Sequence, residues 1–350
     1  MRIAIWNTAW LGDAVLTLPL IQTIKNNFPQ ANIDYFVRKG LKELFRCHPA
    51  IKNVYEVDKK NMGPLRSIKF AKALAPNQYS IWISAHQSLR SSMVSHFAHA
   101  PIRISYDSGP VSRWVYTHTV DRAFYNFEEI ERLLKLAVPL GLEINFDDRE
   151  ANWPEIALCP SPRAKADQIW QAIDSSRPVI GIHPGSVWPT KRWPAEYFSE
   201  LAKLALEHGV QVVLFSGPDE LKQAELIRRE NENTPGFIDL AGKLPLPELA
   251  ACIAKLDCYV TNDSGPMHLA WVQRVPTTAI FGPTTRELGF FPRGKNSSAI
   301  ELNLRCRPCG LHGHKQCPQK HHACMRDISP QTVWLDVAAK IGLSTEQNSC

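Results

Sequence analysis

The chain has 350 residues, 44% hydrophobic and 21% charged, with 40 Lys and Arg against 34 Asp and Glu for a formal net charge of +6. These proportions exclude a disordered chain, a collagen-like repeat and a small disulfide scaffold, and the length favours two domains. No apolar run approaches the roughly 20 residues of a membrane-crossing helix. The opening apolar run, residues 3–6, gives way at once to Asn7-Thr8. It is too short for a signal-peptide core, so a cytoplasmic protein is expected. In chain order, the first half predicts strands over residues 3–6, 33–37, 54–57 and 80–84, and helices over 14–27, 65–75 and 128–140, where apolar residues recur at three- and four-residue intervals. Pro154, Pro160 and Pro162 then interrupt the pattern as a candidate linker. The second half repeats the alternation. Strands are predicted over 178–183, 211–215, 258–261 and 277–281, with helices over 194–207, 220–229, 247–255 and 264–273. A last helix over about 331–341 is expected to pack back across the hinge onto the first domain.

Strands alternating with helices imply βαβ units and parallel sheets, hence an α/β protein. The expected domains are residues 1–160 and 161–330, with 331–350 as a C-terminal helix and tail. Ligands on such sheets bind beyond the carboxyl ends of the strands, so a cleft between the two domains is the expected site.

The positive excess is uneven. Residues 1–165 hold 21 Lys and Arg against 15 Asp and Glu, and the remainder holds 19 of each. Arg66, Lys69 and Lys72 repeat every three residues on one predicted helix. They are either a solvated face or a surface for an anionic partner. No nucleic-acid-binding module is recognisable, and nucleic acid is not expected.

Three loops carry candidate chemistry. The first is Asn7 to Asp13, where Gly12 permits a tight turn and Asp13 stands at an expected helix N-cap. A carboxylate at a strand end can also serve as a general base. No G-x-G-x-x-G dinucleotide signature is present. The second runs from His183 to Pro194, where Gly185, Ser186, Lys191 and Arg192 combine backbone N–H groups, a hydroxyl and two cations. That chemistry suits a phosphate or diphosphate, although a charged loop leading into a helix needs no ligand. The third, Asn262-Asp263-Ser264-Gly265-Pro266-Met267-His268, delivers a carboxylate and a hydroxyl to a helix start, with His268 in its first turn. A further glycine turn, Gly282-Pro283-Thr284, follows the next predicted strand.

Of the nine cysteines, Cys47, Cys159, Cys252, Cys258 and Cys350 are scattered. In a reducing compartment they are expected to form no structural disulfide. Cys306, Cys309, Cys317 and Cys324 cluster among His312, His314, His321 and His322. The C-x2-C pair is compatible with structural zinc, but the second pair is spaced C-x6-C, and a reduced loop-forming cluster is the favoured reading.

With these motifs assembled, the chain resembles the family 9 glycosyltransferases, and among them the ADP-heptose:lipopolysaccharide heptosyltransferases. The resemblance rests on the run from Leu11 to Pro19, His183-Pro184-Gly185-Ser186, Lys191-Arg192-Trp193-Pro194, Asn262 to Ala270, and Phe281-Gly282-Pro283-Thr284. The cysteine-bearing tail looks like that of the heptosyltransferase II branch. The resemblance implies a GT-B fold, two Rossmann-like domains facing across a cleft, with acceptor in the first and nucleotide-sugar in the second. It implies inverting transfer with no cofactor and no obligatory catalytic metal. Asp13 would match the general base, Lys191 the lysine at the diphosphate and His268 a phosphate-side histidine. Gly12, Ser186, Arg192, Asp263, Ser264, Gly265 and Pro266 would line the substrates, and Glu220 would match an acidic residue at the ribose. The implied partners are ADP-heptose and an anionic lipid A-core acceptor, met peripherally at the inner membrane. The alternatives are a family 9 enzyme using another nucleotide sugar on another surface glycan, a non-catalytic sugar-nucleotide binder and a sugar-nucleotide epimerase.

Overall fold

The computed structural model describes residues 1–343, and Cys350 with the end of the expected tail lies outside them. The chain divides into two compact units, Met1–Cys159 and a second that begins at Pro160.

The first unit is built on six strands: β1 (Arg2–Asn7), β2 (Asn32–Arg38), β3 (Asn53–Val57), β4 (Ile81–Ser84), β5 (Ile102–Tyr106) and β6 (His118–Val120). All pairings are parallel and the spatial order is β3-β2-β1-β4-β5-β6. The central strand β1 is apolar on both faces, as a parallel sheet covered on both sides requires. Trp6, Phe36 and Trp82 lie side by side on one face, with ring centroids 5.3–5.9 Å apart. Val94 and Ala98 of the helix Leu89–Phe97 and its C-cap cover them.

The second unit repeats this order with β7 (Val179–His183), β8 (Gln211–Leu214), β9 (Phe237–Asp239), β10 (Cys258–Asn262), β11 (Thr277–Phe281) and β12 (Ser297–Glu301), arranged β9-β8-β7-β10-β11-β12. Again every pairing is parallel. The edge strands β6, β9 and β12 are short or only half-buried, so they lack the apolar run that marks the central ones.

Four expectations are corrected. The predicted helix over 14–27 is two helices, Leu11–Leu16 and Leu18–Asn27. The break falls at Thr17, because Pro19 supplies no N–H to continue the ladder. The linker is shorter than the prolines suggested: Pro160 and Pro162 lie in the first turn of the helix Pro160–Trp170, where a missing N–H costs nothing. The last helix, Pro330–Lys340, packs on the second unit. Val333, Trp334, Val337 and Ala338 join the core formed by Phe198, Leu201 and Ala205. Its Asp336 accepts hydrogen bonds from Thr278 and Ser298, each 2.6 Å. Finally, Cys47 and Cys159 are joined in a disulfide, with Cα atoms 5.3 Å apart. Chain topology, which a compartment alone does not reveal, brings them together: the segment ending the first unit returns beside the short helix Lys42–Phe45 and puts the two cysteines within bonding range. Among the described residues, no helix is long and apolar enough to cross a membrane.

Candidate functional site

In the first unit, the groups that matter lie just beyond the carboxyl ends of the strands. Asp13 is half-buried after β1. It is the third residue of the helix Leu11–Leu16, not its N-cap, and its Oδ2 accepts a 3.1 Å hydrogen bond from the N–H of Trp10 at the cap position. Gly12 therefore lies inside a helical turn and is buried, rather than forming an open loop. Burial pushes the Asp13 carboxyl up to about 6, and Glu129 adds to this; the Trp10 N–H and Arg122 oppose it. Glu129 is itself held by Arg122, through both oxygens at 2.8 Å, and by Arg132 at 2.9 Å.

Residues that the sequence reading passed over complete this environment. Lys59, after β3, donates to the Thr8 carbonyl at 3.0 Å and to His86 Nε2 at 3.2 Å. His86, after β4, lies 3.1 Å from Ser91 Oγ through Nδ1. Burial lowers His86 to about 4 and Lys59 to about 8, with neighbouring cations, Arg38 and Arg90 for Lys59, adding to both shifts. Arg38, the last residue of β2, lies 3.9 Å over the Trp10 ring. Their common signal is position at or within two residues of the carboxyl end of a strand. Arg66, Lys69 and Lys72 are exposed along the helix Pro64–Leu74.

The second unit gathers its predicted residues after β7 and β10. Lys191 donates to Asp263 Oδ2, which also accepts from the Thr284 hydroxyl at 2.6 Å. Ser186 Oγ donates to the Asp263 carbonyl at 3.3 Å. Asn262 locks the two loops together: its Oδ1 accepts from Trp193 N–H at 2.9 Å and its Nδ2 donates to the Pro184 carbonyl at 2.8 Å. Ser264 occupies the N-cap position of the helix Gly265–Val272 without a side-chain capping bond, and Pro266 is its second residue, so the helix N-terminus lies directly after Asp263. His268 is buried, and its Nδ1 accepts from Trp271 Nε1 at 3.1 Å, which leaves the proton on Nε2. Burial lowers its pKa to about 4, so near pH 7 it offers a neutral N–H.

Arg192 donates through Nε to the Ser186 carbonyl at 2.8 Å. Glu220 lies after β8, and its Oε2 is 3.0 Å from His183 Nε2 and 3.2 Å from Gly217 N–H. Burial, the largest single influence, pushes this carboxyl up, but the interactions with His183, the Gly217 N–H and Arg192 together hold it below its ordinary range. The other ring nitrogen of His183 meets Tyr259 OH at 2.8 Å. His183 and Tyr259 are a buried support that sequence reading missed, although His183 stood in a quoted motif. Gly185 leaves room for the Glu220 carboxylate, since a Cβ there would occupy the position of that side chain's end.

The four clustered cysteines lie in the loop and short helix after β12, with burial raising Cys324 to about 11. Among the described residues, no three His, Cys, Asp or Glu side chains gather as a metal-holding group.

Two doubly wound parallel domains, one presenting a carboxyl with a raised pKa and the other a lysine, a neutral imidazole and a helix N-terminus, are the architecture of the GT-B glycosyltransferases. The family described as Glycosyltransferase family 9 (heptosyltransferase) matches residues 67–322, and the chain belongs to it. Lipooligosaccharide heptosyltransferase 2 of Campylobacter jejuni is 28% identical over 95% of this chain and 96% of that protein. Lipopolysaccharide heptosyltransferase 2 of Escherichia coli K12 is 27% identical, over 95% and 96% respectively. The solved structure of Escherichia coli ADP-heptose lps heptosyltransferase II superposes with a TM-score of 0.79 at 25% identity, covering 97% of this chain and 98% of that one.

Proposed function

We propose that this enzyme transfers heptose from ADP-heptose to the inner core of lipopolysaccharide with inversion at the anomeric carbon. It would work in the cytoplasm at the inner face of the inner membrane, meeting its lipid-linked acceptor peripherally. Residues 1–160 take the acceptor and 161–330 the nucleotide sugar. The observation that supports this reading is the division of labour between the two sheets: a protonatable carboxyl, Asp13, lies in the helix that follows the central strand of one, and Lys191 pairs with Asp263 in the loops that follow the adjacent central strands of the other. Full-length similarity to proteins named as lipopolysaccharide heptosyltransferases supports the donor and acceptor class.

In this mechanism Asp13 removes the proton from the acceptor hydroxyl as that oxygen attacks the anomeric carbon. The bond to the diphosphate breaks on the opposite face. Negative charge then grows on the departing ADP, where Lys191, the His268 Nε2–H and the N–H groups of Gly265 and the turn after it stabilise it. Ser186 and Arg192 shape the phosphate loop, Asp263 and Ser264 contact the sugar, Pro266 fixes the helix start, and Glu220 accepts from the ribose hydroxyls. Gly12 keeps the backbone beside Asp13 free of a side chain.

The test is ADP release with ADP-heptose and heptose-bearing Kdo-lipid A, set beside calorimetry with ADP-, GDP- and UDP-sugars. The reading expects ADP-heptose to bind selectively and Asp13→Ala to lose transfer. Equal ADP release by wild type and Asp13→Ala removes the assigned base. Preference for a GDP- or UDP-sugar removes the assigned donor.

A further inference from the structure

The segment after β12 is long and almost without secondary structure, yet its polar groups are directed at the two loops that carry Lys191 and Asp263. Arg307 has a buried guanidinium that donates to the carbonyls of Gly282 and Thr284, the latter at 2.8 Å, and pairs with Glu301 at 2.7 Å. Cys309 N–H donates to the Pro283 carbonyl at 2.9 Å. All three carbonyls of the Gly282-Pro283-Thr284 turn are thus captured from one side, and on the other side the Thr284 hydroxyl reaches Asp263.

The same segment captures every polar atom of Thr190, the neighbour of Lys191. Thr190 N–H and Oγ1 donate to the His314 carbonyl at 3.2 and 3.0 Å, and His314 N–H donates to Thr190 Oγ1 at 2.7 Å. His322 Nε2 donates to the Thr190 carbonyl at 2.8 Å. His312 stacks parallel to Trp188. Between them Gly313 comes so close that a Cβ would lie 2.5 Å from Trp188 Cβ and 3.1 Å from Lys191 Cγ. His314 Nε2 donates to the Cys309 carbonyl at 2.9 Å and so joins the two arms.

The contacts close a ring: Lys191, Asp263, Thr284, the Pro283 carbonyl, Cys309, His314, Thr190 and back to Lys191. We infer that residues 307–322 form a positioning brace that sets the Lys191 ammonium for the donor diphosphate, with Thr190, Arg307 and Gly313 as its positioning residues. The inference rests on the proposed reading of Lys191 as a diphosphate ligand. Its physical basis is preorganisation: a cation held in place before the ligand arrives loses less freedom on binding and moves less as charge develops. The segment's residue types suggested a metal or a plain loop, but its contacts assign it to the donor site.

The experiment compares Thr190→Val, Thr190→Ser and Gly313→Ala by steady-state kinetics and by calorimetry with ADP. Thr190→Val keeps the shape and loses the hydroxyl; it and Gly313→Ala are expected to raise the donor KM and the ADP Kd about tenfold, the cost of about one buried hydrogen bond. Acceptor KM should stay unchanged, and Thr190→Ser should restore donor binding to within about twofold. Val337→Ala, in the same unit's core away from the brace, supplies a destabilised control that should keep wild-type donor KM. A folded Thr190→Val with wild-type donor KM overturns the brace, as does a Val337→Ala variant of equal thermal stability with an equally raised donor KM. If Lys191→Ala itself leaves ADP binding untouched, the diphosphate reading falls and takes the brace with it. If Lys191→Ala weakens ADP binding and Thr190→Val does not, only the brace falls.

Discussion

Lys191 and Asp263 form an ion pair whose side chains are only 12% and 9% exposed, and the Thr284 hydroxyl holds the same carboxylate oxygen at 2.6 Å. The lysine comes from the loop after β7 and the aspartate from the end of the adjacent β10, so parallel strand pairing fixes their approach. In the absence of donor, each offsets the other's desolvation. An arriving diphosphate must compete with Asp263 for the ammonium.

Two substitutions separate these roles. Lys191→Ala is expected to lower kcat by roughly 10²–10³-fold, as loss of one preorganised donor to developing charge does. Asp263→Asn removes the competing carboxylate, so ADP should bind at least as tightly as to wild type while sugar transfer falls. Calorimetry with ADP beside single-turnover transfer checks both. Weaker ADP binding by Asp263→Asn would mean that the carboxylate serves mainly to hold the lysine in place.

Asp13 predicts a pH profile. A base with its pKa at about 6 must be ionised to act, so kcat/KM should rise as pH increases through about 6 and level off above it. Asp13→Asn should cost roughly 10²–10⁴-fold in rate. Stability runs the other way. The folded carboxyl holds its proton more firmly than an unfolded one, so ionised Asp13 costs stability progressively as pH rises from about 4 to about 6. Asp13→Asn should therefore melt about 2–4 °C higher than wild type at pH 7.5, and the difference should shrink toward pH 4. Glu129 is one cause of the raised value, so Glu129→Gln should move the acidic limb of the rate profile downward, at the expense of the buried Arg122 and Arg132 contacts.

What could be read from the sequence followed local pattern. Lys191, Asp263 and His268 stand next to apolar central strands with Gly-Pro turn signals, so strand, loop and helix start were all visible in one stretch. Lys59, His86, Arg122 and Glu129 carry no such stretch. They are single residues after β3, β4 and β6 and on a later helix, and only the strand order β3-β2-β1-β4-β5-β6 gathers them around Asp13. β6 went unread because an edge strand needs no continuous apolar run, and β5 because Arg103 and Ser105 interrupt its apolar residues. Arg307, Thr190 and His314 meet their partners largely at main-chain atoms, which composition does not display. The helix start at Leu11 was missed because Trp10 is not a capping residue type, and the Asp13 side chain caps backwards instead.

Gly185 and Glu220 test the donor site by steric means. A methyl at Gly185 would occupy the space of the Glu220 carboxylate, which can swing aside because it ends a flexible side chain. Gly185→Ala should therefore fold normally and behave like Glu220→Gln. If Glu220 accepts from the ribose, both should raise donor KM about tenfold, with a smaller change in kcat. Steady-state kinetics at saturating acceptor checks this. A donor KM unchanged in Glu220→Gln would assign the carboxylate solely to holding His183.

The Cys47–Cys159 disulfide makes a prediction that separates folding from chemistry. It spans a sequence separation of 112 and ties the end of the first unit to the region after β2, far along the chain from the loops of the second unit. Cross-linking so long a loop restricts the unfolded chain, and removal should cost about 2–4 kcal/mol. Cys47→Ser and Cys159→Ser should lower the denaturation midpoint alike, and the double variant should lose no more than either single one, because both report one bond. Donor KM should be unchanged in all three. Thiol titration of unreduced, denatured wild-type protein should find two fewer reactive thiols than after reduction. Equal counts before and after reduction would show that the pair stays as free thiols, and the single variants should then lose little stability.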